Sequence, residues 1–417
     1  MNGAGRRLKV TIIGINYAPE PTGIAPYTTG LATGLAKRGH EVLVLTGIPH
    51  YPDWTRAKHS AFRSKDSMDG VQIRRFWHPV PRRLSWMGRA AMELVFGLQI
   101  VTARWGKPDV VICVSPPLLG AAMSVVRARL SPRGPATGVL LQDLYSRGIA
   151  EMEAGSRLSA RLMRAVESLT FRWADGVSVI HRGFARDLTE ELNVDVRRIR
   201  ETRNWSHISS PDPDASAEFR RRLGWRNDEV VVMHTGNMGY KQGLENVIAA
   251  AALAHDEGAP VKFALVGNGN QRDNLRELAG ALPNLRFLPL VSEEEFPAML
   301  GAADVLLVNE RPGVAHTSVP SKLTSYFQAG KPVLAATHAS GFTAQELAAS
   351  GAGICIPADR PDLLVAESLR LGGDKELAEH FGELGRRYCL KLLSEQGALD
   401  GYEQWIMDMA ARRGVGL

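Results

Sequence analysis

Short, uninterrupted apolar runs, each broken off by a glycine- or proline-rich loop and followed by a helical pattern, constrain this chain more than any other feature. Val10 to Ile15 is the first run. It passes into Asn16-Tyr17-Ala18-Pro19-Glu20-Pro21-Thr22-Gly23-Ile24, a helical stretch from about Pro26 to Lys37, and a second apolar run, Glu41 to Thr46. A strand without polar alternation is covered on both faces, and a strand–loop–helix–strand unit joins parallel strands. Open sheets of this kind take ligands at the carboxyl ends of their strands. Gly23 is where backbone could approach a phosphate or a sugar closely. The loop lacks G-x-G-x-x-G, so a dinucleotide fold is not supported.

The pattern continues through Asp109 to Ser115, a helix from Leu118 to Arg129, and Gly138 to Leu141. That last run ends in Gln142-Asp143, where an acid either faces the ligand or caps the next helix. A basic helix (Arg157 to Trp173) and a strand (Gly176 to Ile180) lead to His181, either a site residue or simply hydrogen-bonded. Arg203-Asn204-Trp205 closes the first half, and Ser209 to Asp214 has the composition of a linker. Its Asp-x-Asp sits between prolines and reads as structure, so no metal is expected. The second half repeats the plan. Val230 to His234 enters Gly236-Asn237-Met238-Gly239-Tyr240-Lys241-Gln242-Gly243 and a helix from Leu244 to Ala254, with Lys241 as a point charge at the helix entrance. Phe263 to Val266 enters Gly267-Asn268-Gly269-Asn270-Gln271-Arg272, and runs at Leu285 to Leu288, Asp304 to Val308, Val333 to Thr337 and Gly353 to Ile356 complete a sheet.

Between two of these runs lies Asn309 to Val333. Here Pro320-Ser321-Lys322 opens a helix that Gly330-Lys331-Pro332 ends. Ser321 as cap, the unpaired N–H groups of a first helical turn and the Lys322 ammonium would together make an anion site. A chain of 417 residues exceeds one ordinary core, so two or three domains are expected. Its 50 basic and 44 acidic residues suit an anionic partner but are too nearly balanced to argue for nucleic acid. Cys113, Cys355 and Cys389 read as buried thiols of a reducing compartment. With no secretory signal and no spanning run, a cytoplasmic protein is expected. From Arg74 to Lys107, arginines alternate with Phe76, Trp77, Trp86, Met87, Leu94, Phe96, Leu98 and Trp105. At helical period this is an amphipathic stretch suited to an anionic membrane surface, or a domain helix with a solvated basic face.

Taken together, Asn-Tyr-x-Pro-Glu-x-x-Gly-Ile, Arg38-Gly39-His40-Glu41-Val42, Gly236-Asn237-Met238-Gly239-x-Lys241-Gln242-Gly243, Val266-Gly267-x-Gly269-x-x-Arg272 and Pro320-Ser321-Lys322-Leu323 resemble family 4 glycosyltransferases of the GT-B fold. Pro49-His50-Tyr51-Pro52-Asp53-Trp54 is similar to the exopolysaccharide, colanic-acid-type members. The resemblance implies two Rossmann-like α/β domains facing across a cleft (1–207 for acceptor, 208–394 for donor). A terminal helix, 395–417, would return to the first. It also implies retaining, metal-independent transfer from a nucleotide diphosphate sugar to a lipid-linked or saccharide acceptor, with no further cofactor. Lys241, Lys322 and Asp143 would serve catalysis. Gly23, Gly236, Asn237, Gly267, Gly269, Arg272, Glu310, Pro320, Ser321 and Leu323 would bind donor. The acceptor would lie near Gly23 and Asp143, with Asn16, Tyr17, His181 and Asn204. Thr317 and Ser325 stand where many members carry paired glutamates, and Glu310 would replace the lost carboxylate. A catalytically silent scaffold and a sugar-nucleotide epimerase are the alternatives.

Overall fold

The computed structural model describes residues 7–21, 23–51, 54–55, 63–81, 86–132, 134–146, 157–314 and 321–414. The chain divides into two compact units, Met1–Asn204 with Gln396–Leu417, and Trp205–Glu395.

In the first unit the strands are β1 (Lys9–Ile13), β2 (Glu41–Gly47), β3 (Arg63–Met68), β4 (Val71–Phe76), β5 (Val110–Ser115), β6 (Ala136–Leu141), β7 (Gly176–Val179) and β8 (Ile199–Glu201). They form one sheet in the order β3-β4-β2-β1-β5-β6-β7-β8, parallel except where β3 pairs β4. Every residue of β5 and β6 is buried, so the unbroken apolar runs are strands covered on both faces. The chain lays β2 and β4 to one side of β1, then reverses to lay β5 on the other. The carboxyl ends of β1 and β5 therefore flank the switch point where doubly wound sheets receive ligands.

The second unit holds β9 (Val230–Thr235), β10 (Val261–Val266), β11 (Leu285–Leu288), β12 (Val305–Asn309), β13 (Val333–Ala336) and β14 (Gly353–Ile356). Their order, β11-β10-β9-β12-β13-β14, again reverses beside the first strand, between β9 and β12. Pairing is parallel throughout. Cys113 and Cys389 are buried, but Cys355 is exposed because β14 is an edge strand.

The stretch from Arg74 to Lys107 is not one amphipathic helix. Arg74 and Arg75 belong to β4, where Val71, Ile73 and Phe76 are buried. Arg75 donates to the Ala18 carbonyl at 2.7 Å and Arg74 to that of Arg104 at 2.8 Å. The helix is Trp86–Thr102, and it buries Met92, Phe96 and Ile100 while Met87, Leu94 and Leu98 stay exposed. Arg82 and Arg83 lie outside the described residues.

The last helix, Glu395–Arg412, belongs to the first unit. Its Trp405 rests where β6 and β7 have no side chain. A Cβ at Gly138 would meet Trp405 Cη2 at 2.5 Å, and one at Gly176 would meet its Nε1 at 2.6 Å. Arg38, just past the helix Ala25–Lys37, reaches Asp400 at 2.5 Å and Glu403 at 2.6 Å, and His40 approaches Glu403 at 3.1 Å.

Candidate functional site

Residues singled out in the second unit gather at its switch point. The end of β9 carries His234, Thr235 and Gly236, and the end of β12 carries Asn309 and Glu310. The helix Lys322–Ala329 is fixed beside them by Tyr326, whose buried hydroxyl accepts from the Thr235 N–H at 2.9 Å. That registers Lys322, one turn back, against β9. A Cβ built on Gly236 would lie 3.8 Å from both Cε and Nζ of Lys322, so the amine stands directly beside the turn, whose φ of 113° favours glycine. Lys322 Nζ is also 3.2 Å from His234 Nε2. Burial pushes the amine down to about 7, with Glu310 acting in the opposite direction.

Glu310 receives the hydroxyls of Thr337 and of Thr343, the latter at 2.5 Å. Both carboxylate oxygens are thus engaged within the unit. Lys241 sits on a short 3-10 turn, Tyr240–Gln242, and not at a helix entrance. Gly243 in the left-handed region (φ 52°) separates that turn from the helix Glu245–Asp256. Two residues of the β12 end pin the turn. The Asn309 side chain donates to the carbonyls of Gln242 (2.7 Å) and Gly243 (2.9 Å). The Arg311 N–H donates to the Lys241 carbonyl at 2.8 Å, and its guanidinium stacks 3.8 Å from the Tyr240 ring centroid. Neither residue belongs to a motif, and nothing in the sequence pattern marks either.

The glycine loops have a structural duty of their own. Gly236 donates its N–H to Val266 and Met238 to Asn268, and Gln271 donates to Met238. The two loops therefore run backbone to backbone. At Gly267 (φ 136°) a Cβ would come within 2.0 Å of the Gly236 oxygen, and at Gly269 within 2.5 Å of the Met238 oxygen. Asn237 turns its amide over Gly239, 2.8 Å from where a Cβ would be. Arg272 opens the helix Arg272–Ala279 with a buried Nε that has no partner among the described residues.

Some expectations fail. Ser321 is exposed, has helical backbone angles and makes no side-chain capping bond; Thr324 instead turns its hydroxyl back to the Ser321 carbonyl at 2.7 Å. The Leu323 side chain is packed in the core with Val231, Met233 and Leu306, so it is the backbone of this residue that a first helical turn could present. Ser325 is buried as well. Pro320 and Thr317 lie outside the described residues.

In the first unit, Asn16 and Gly23 meet at the loop after β1. Asn16 donates to Glu20 at 2.8 Å, and the same carboxylate accepts the N–H groups of His50 (2.8 Å) and Tyr51 (3.0 Å). Glu20 thereby ties the loop to the Pro-His-Tyr motif, and its burial is explained by those bonds. Gly23 (φ 71°) lies against the Tyr51 ring, 3.1 Å from where its Cβ would be. Trp54 packs edge-on to Tyr51, and Arg89 stands 5.2 Å over the Trp54 ring. Asp143 and Arg89 both act on the hydroxyls of Tyr51 and Tyr145, behind the dominant effect of burial. Tyr145 donates to Glu93, whose carboxyl burial pushes up. Tyr17 is fully buried, its hydroxyl pushed up to about 12 by burial, and is a core residue, not a contact for acceptor. Asn204 and Gln142 exchange amide hydrogen bonds of 2.8 and 3.3 Å. His181 caps the helix Arg182–Glu190, its Nδ1 accepting from Gly183 at 3.0 Å.

Two units of this strand order make the chain a two-domain, Rossmann-like α/β protein. Residues 22–205 match the family described as glycosyl transferase 4-like domain, and residues 215–388 match glycosyl transferases group 1. The putative colanic acid biosynthesis glycosyl transferase WcaI of Escherichia coli K12 is 33% identical over 400 residues, covering 90% of this chain and 96% of that protein. Among solved structures, sucrose-phosphate synthase of Thermosynechococcus elongatus superposes with a TM-score of 0.76 at 17% identity, over 97% of this chain and 100% of that one. Anabaena HepE, solved with UDP-glucose, gives 0.70 at 15% identity over 97% and 100%. The chain belongs to glycosyltransferase family 4 and has the GT-B fold.

Proposed function

We propose that this glycosyltransferase moves a sugar, with retention and without a metal ion, from a UDP- or GDP-sugar to a lipid-linked or saccharide acceptor in exopolysaccharide synthesis. One observation carries the donor half of the reading: the Lys322 amine stands beside the bare Gly236 turn at the switch point between β9 and β12. A diphosphate there would meet Lys322 and the first-turn N–H groups of its helix, with Lys241 held on the adjoining turn by Asn309 and Arg311. Preorganised positive groups stabilise a leaving diphosphate as the glycosidic bond ionises, and in a poorly solvated site they do so strongly. The UDP-glucose held by HepE and the colanic acid role in the name of WcaI support donor class and pathway. For the acceptor, Tyr51 and Trp54 offer aromatic faces to a sugar ring, with Asp143 and Arg89 supplying polar contacts.

Donor hydrolysis and transfer, assayed with UDP- and GDP-sugars, test this. Lys241→Ala and Lys322→Ala are each expected to lower kcat/KM by roughly 10²–10³. Undiminished rates in both would overturn the reading.

The acceptor's lipid calls for a docking face. Met87, Leu94 and Leu98 on Trp86–Thr102, and Leu162, Leu169 and Trp173 on Arg157–Trp173, are exposed at the same seven-and-four spacing. Arg161, Arg164 and Arg172 are exposed on the second helix. Apolar rows beside arginines suit an anionic bilayer surface. Co-sedimentation with anionic vesicles should fall at least severalfold in the double variant Leu162→Ser, Leu169→Ser. Equal binding to neutral vesicles would remove the idea.

A further inference from the structure

His234 is fully buried at the last residue but one of β9, away from any apolar role that position would suit. Its Nε2 and Lys322 Nζ are 3.2 Å apart. Two nitrogens share a hydrogen at that distance only if one donates and the other accepts. A charged lysine can only donate, so whenever Lys322 is an ammonium the imidazole accepts at an unprotonated Nε2. Burial, then the neighbouring Lys322, holds it well below the usual histidine range. Among the described residues, the titratable and charged side chains facing the amine are His234 from β9 and, from the end of β12, Glu310. The latter is held by Thr337 and Thr343. Tyr326, on the same helix, turns its hydroxyl to Thr235. Lys322 keeps some exposure as a residue, and burial is the main influence on the proton affinity of its amine.

Building on the diphosphate reading above, we propose that His234 is a positioning residue that holds Lys322 Nζ against the Gly236 turn, and that Lys322 takes up a proton from solvent as a nucleoside diphosphate enters. In the empty site near neutral pH, part of the population carries a neutral amine, one N–H donated to Nε2. When the nucleoside diphosphate arrives, the nitrogen lone pair binds a proton from solvent and no other bond changes. One N–H of the ammonium stays on His234, and the other two are directed at phosphate oxygens. Since the amine of the empty site is held to about 7, affinity is flat from there down to about 6, where the terminal phosphate takes up its own proton. Above the amine's value, affinity falls about tenfold per pH unit, until the amine within the complex itself titrates.

The test is calorimetric titration of the full chain with UDP, GDP, ADP and TDP in Tris and in HEPES, whose ionisation enthalpies differ. At pH 8 a terminal phosphate is already ionised, its second pKa being about 6. The difference between buffers then counts protons taken up by the protein, close to one per site. His234→Leu removes the acceptor and makes the ammonium dearer, so the affinity-against-pH midpoint should move down by about one unit. His234→Gln retains an acceptor and should stay near the parent midpoint. Binding with no proton uptake and no pH dependence would overturn the inference while leaving the diphosphate reading intact. Equal weakening of His234→Leu at every pH would overturn the part given to His234. Absence of binding by all four nucleotides at pH 6.5, where Lys322 is charged, would overturn both.

Discussion

His181 shows how a single side chain can couple acid to stability. Its Nδ1 accepts the Gly183 N–H, a task open only to the unprotonated nitrogen. Burial, with Arg203 and Arg182 nearby, holds the ring down to about 4. The unfolded chain, with an ordinary histidine pKa near 6.5, therefore binds the proton first. Stability from this group is complete above 6.5 and is lost as pH falls through 4, by about 2 kcal/mol at pH 4.5. His78, fully buried and likewise held to about 4, adds in the same direction. In His181→Asn, which keeps a capping acceptor, thermal melts should lose less stability between pH 7 and 4.5 than in the parent. An unchanged acid slope would show that the cap does not titrate. Residues of this kind are half legible. Lys322 stands out through Pro-Ser-Lys and a helix start, whereas His234 sits in an apolar strand run and looks like filling. Asn309 and Arg311 act through backbone carbonyls, which any sequence presents, so no pattern marks them.

At the scale of elements, the crossing of the two glycine loops is the most exacting contact in the second unit. Gly267→Ala would drive a Cβ into the Gly236 oxygen at 2.0 Å. Gly258 has φ 65°, in the left-handed region, and nothing lies within 4 Å of its Cβ, so Gly258→Ala reports a left-handed backbone penalty without a clash, whereas Gly267 (φ 136°) adds both the clash and a harsher backbone. Chemical denaturation should show about 1 kcal/mol lost at Gly258 and about 3 kcal/mol or more at Gly267. Equal losses would mean the loops part easily. The strands themselves were easy to read because parallel strands covered on both faces are continuous apolar runs. β3 was not: its sequence, Arg-Ser-Lys-Asp-Ser-Met, is polar on both faces and pairs only β4 at the sheet edge. β4 alternates only at its start, with Val71 and Ile73 buried about an exposed Gln72, and Phe76 is buried at the opposite parity. A window opening at Arg74 excludes that alternation, so the basic and aromatic residues there read as one helix. The exposed arginines and leucines survive, distributed over separate elements.

For the molecule as a whole, the division into halves was legible because a βαβ pattern recurs after a linker. The seat of the terminal helix was not, since it is made of absences. Gly138 and Gly176 leave a hollow in a sheet face, and Gly34 leaves another that Leu399 enters. Nothing local in the sequence says which distant side chain will occupy a missing one. The two units consequently differ in how they can be made on a ribosome. The second is a single stretch, Trp205–Glu395, and every strand it needs has emerged once that stretch is out. The first begins earlier yet waits for Gln396 onward, so its sheet must pass the whole synthesis of its neighbour with the groove for Trp405 uncovered. During that interval the nascent chain carries an open furrow, which closes only when the last helix arrives.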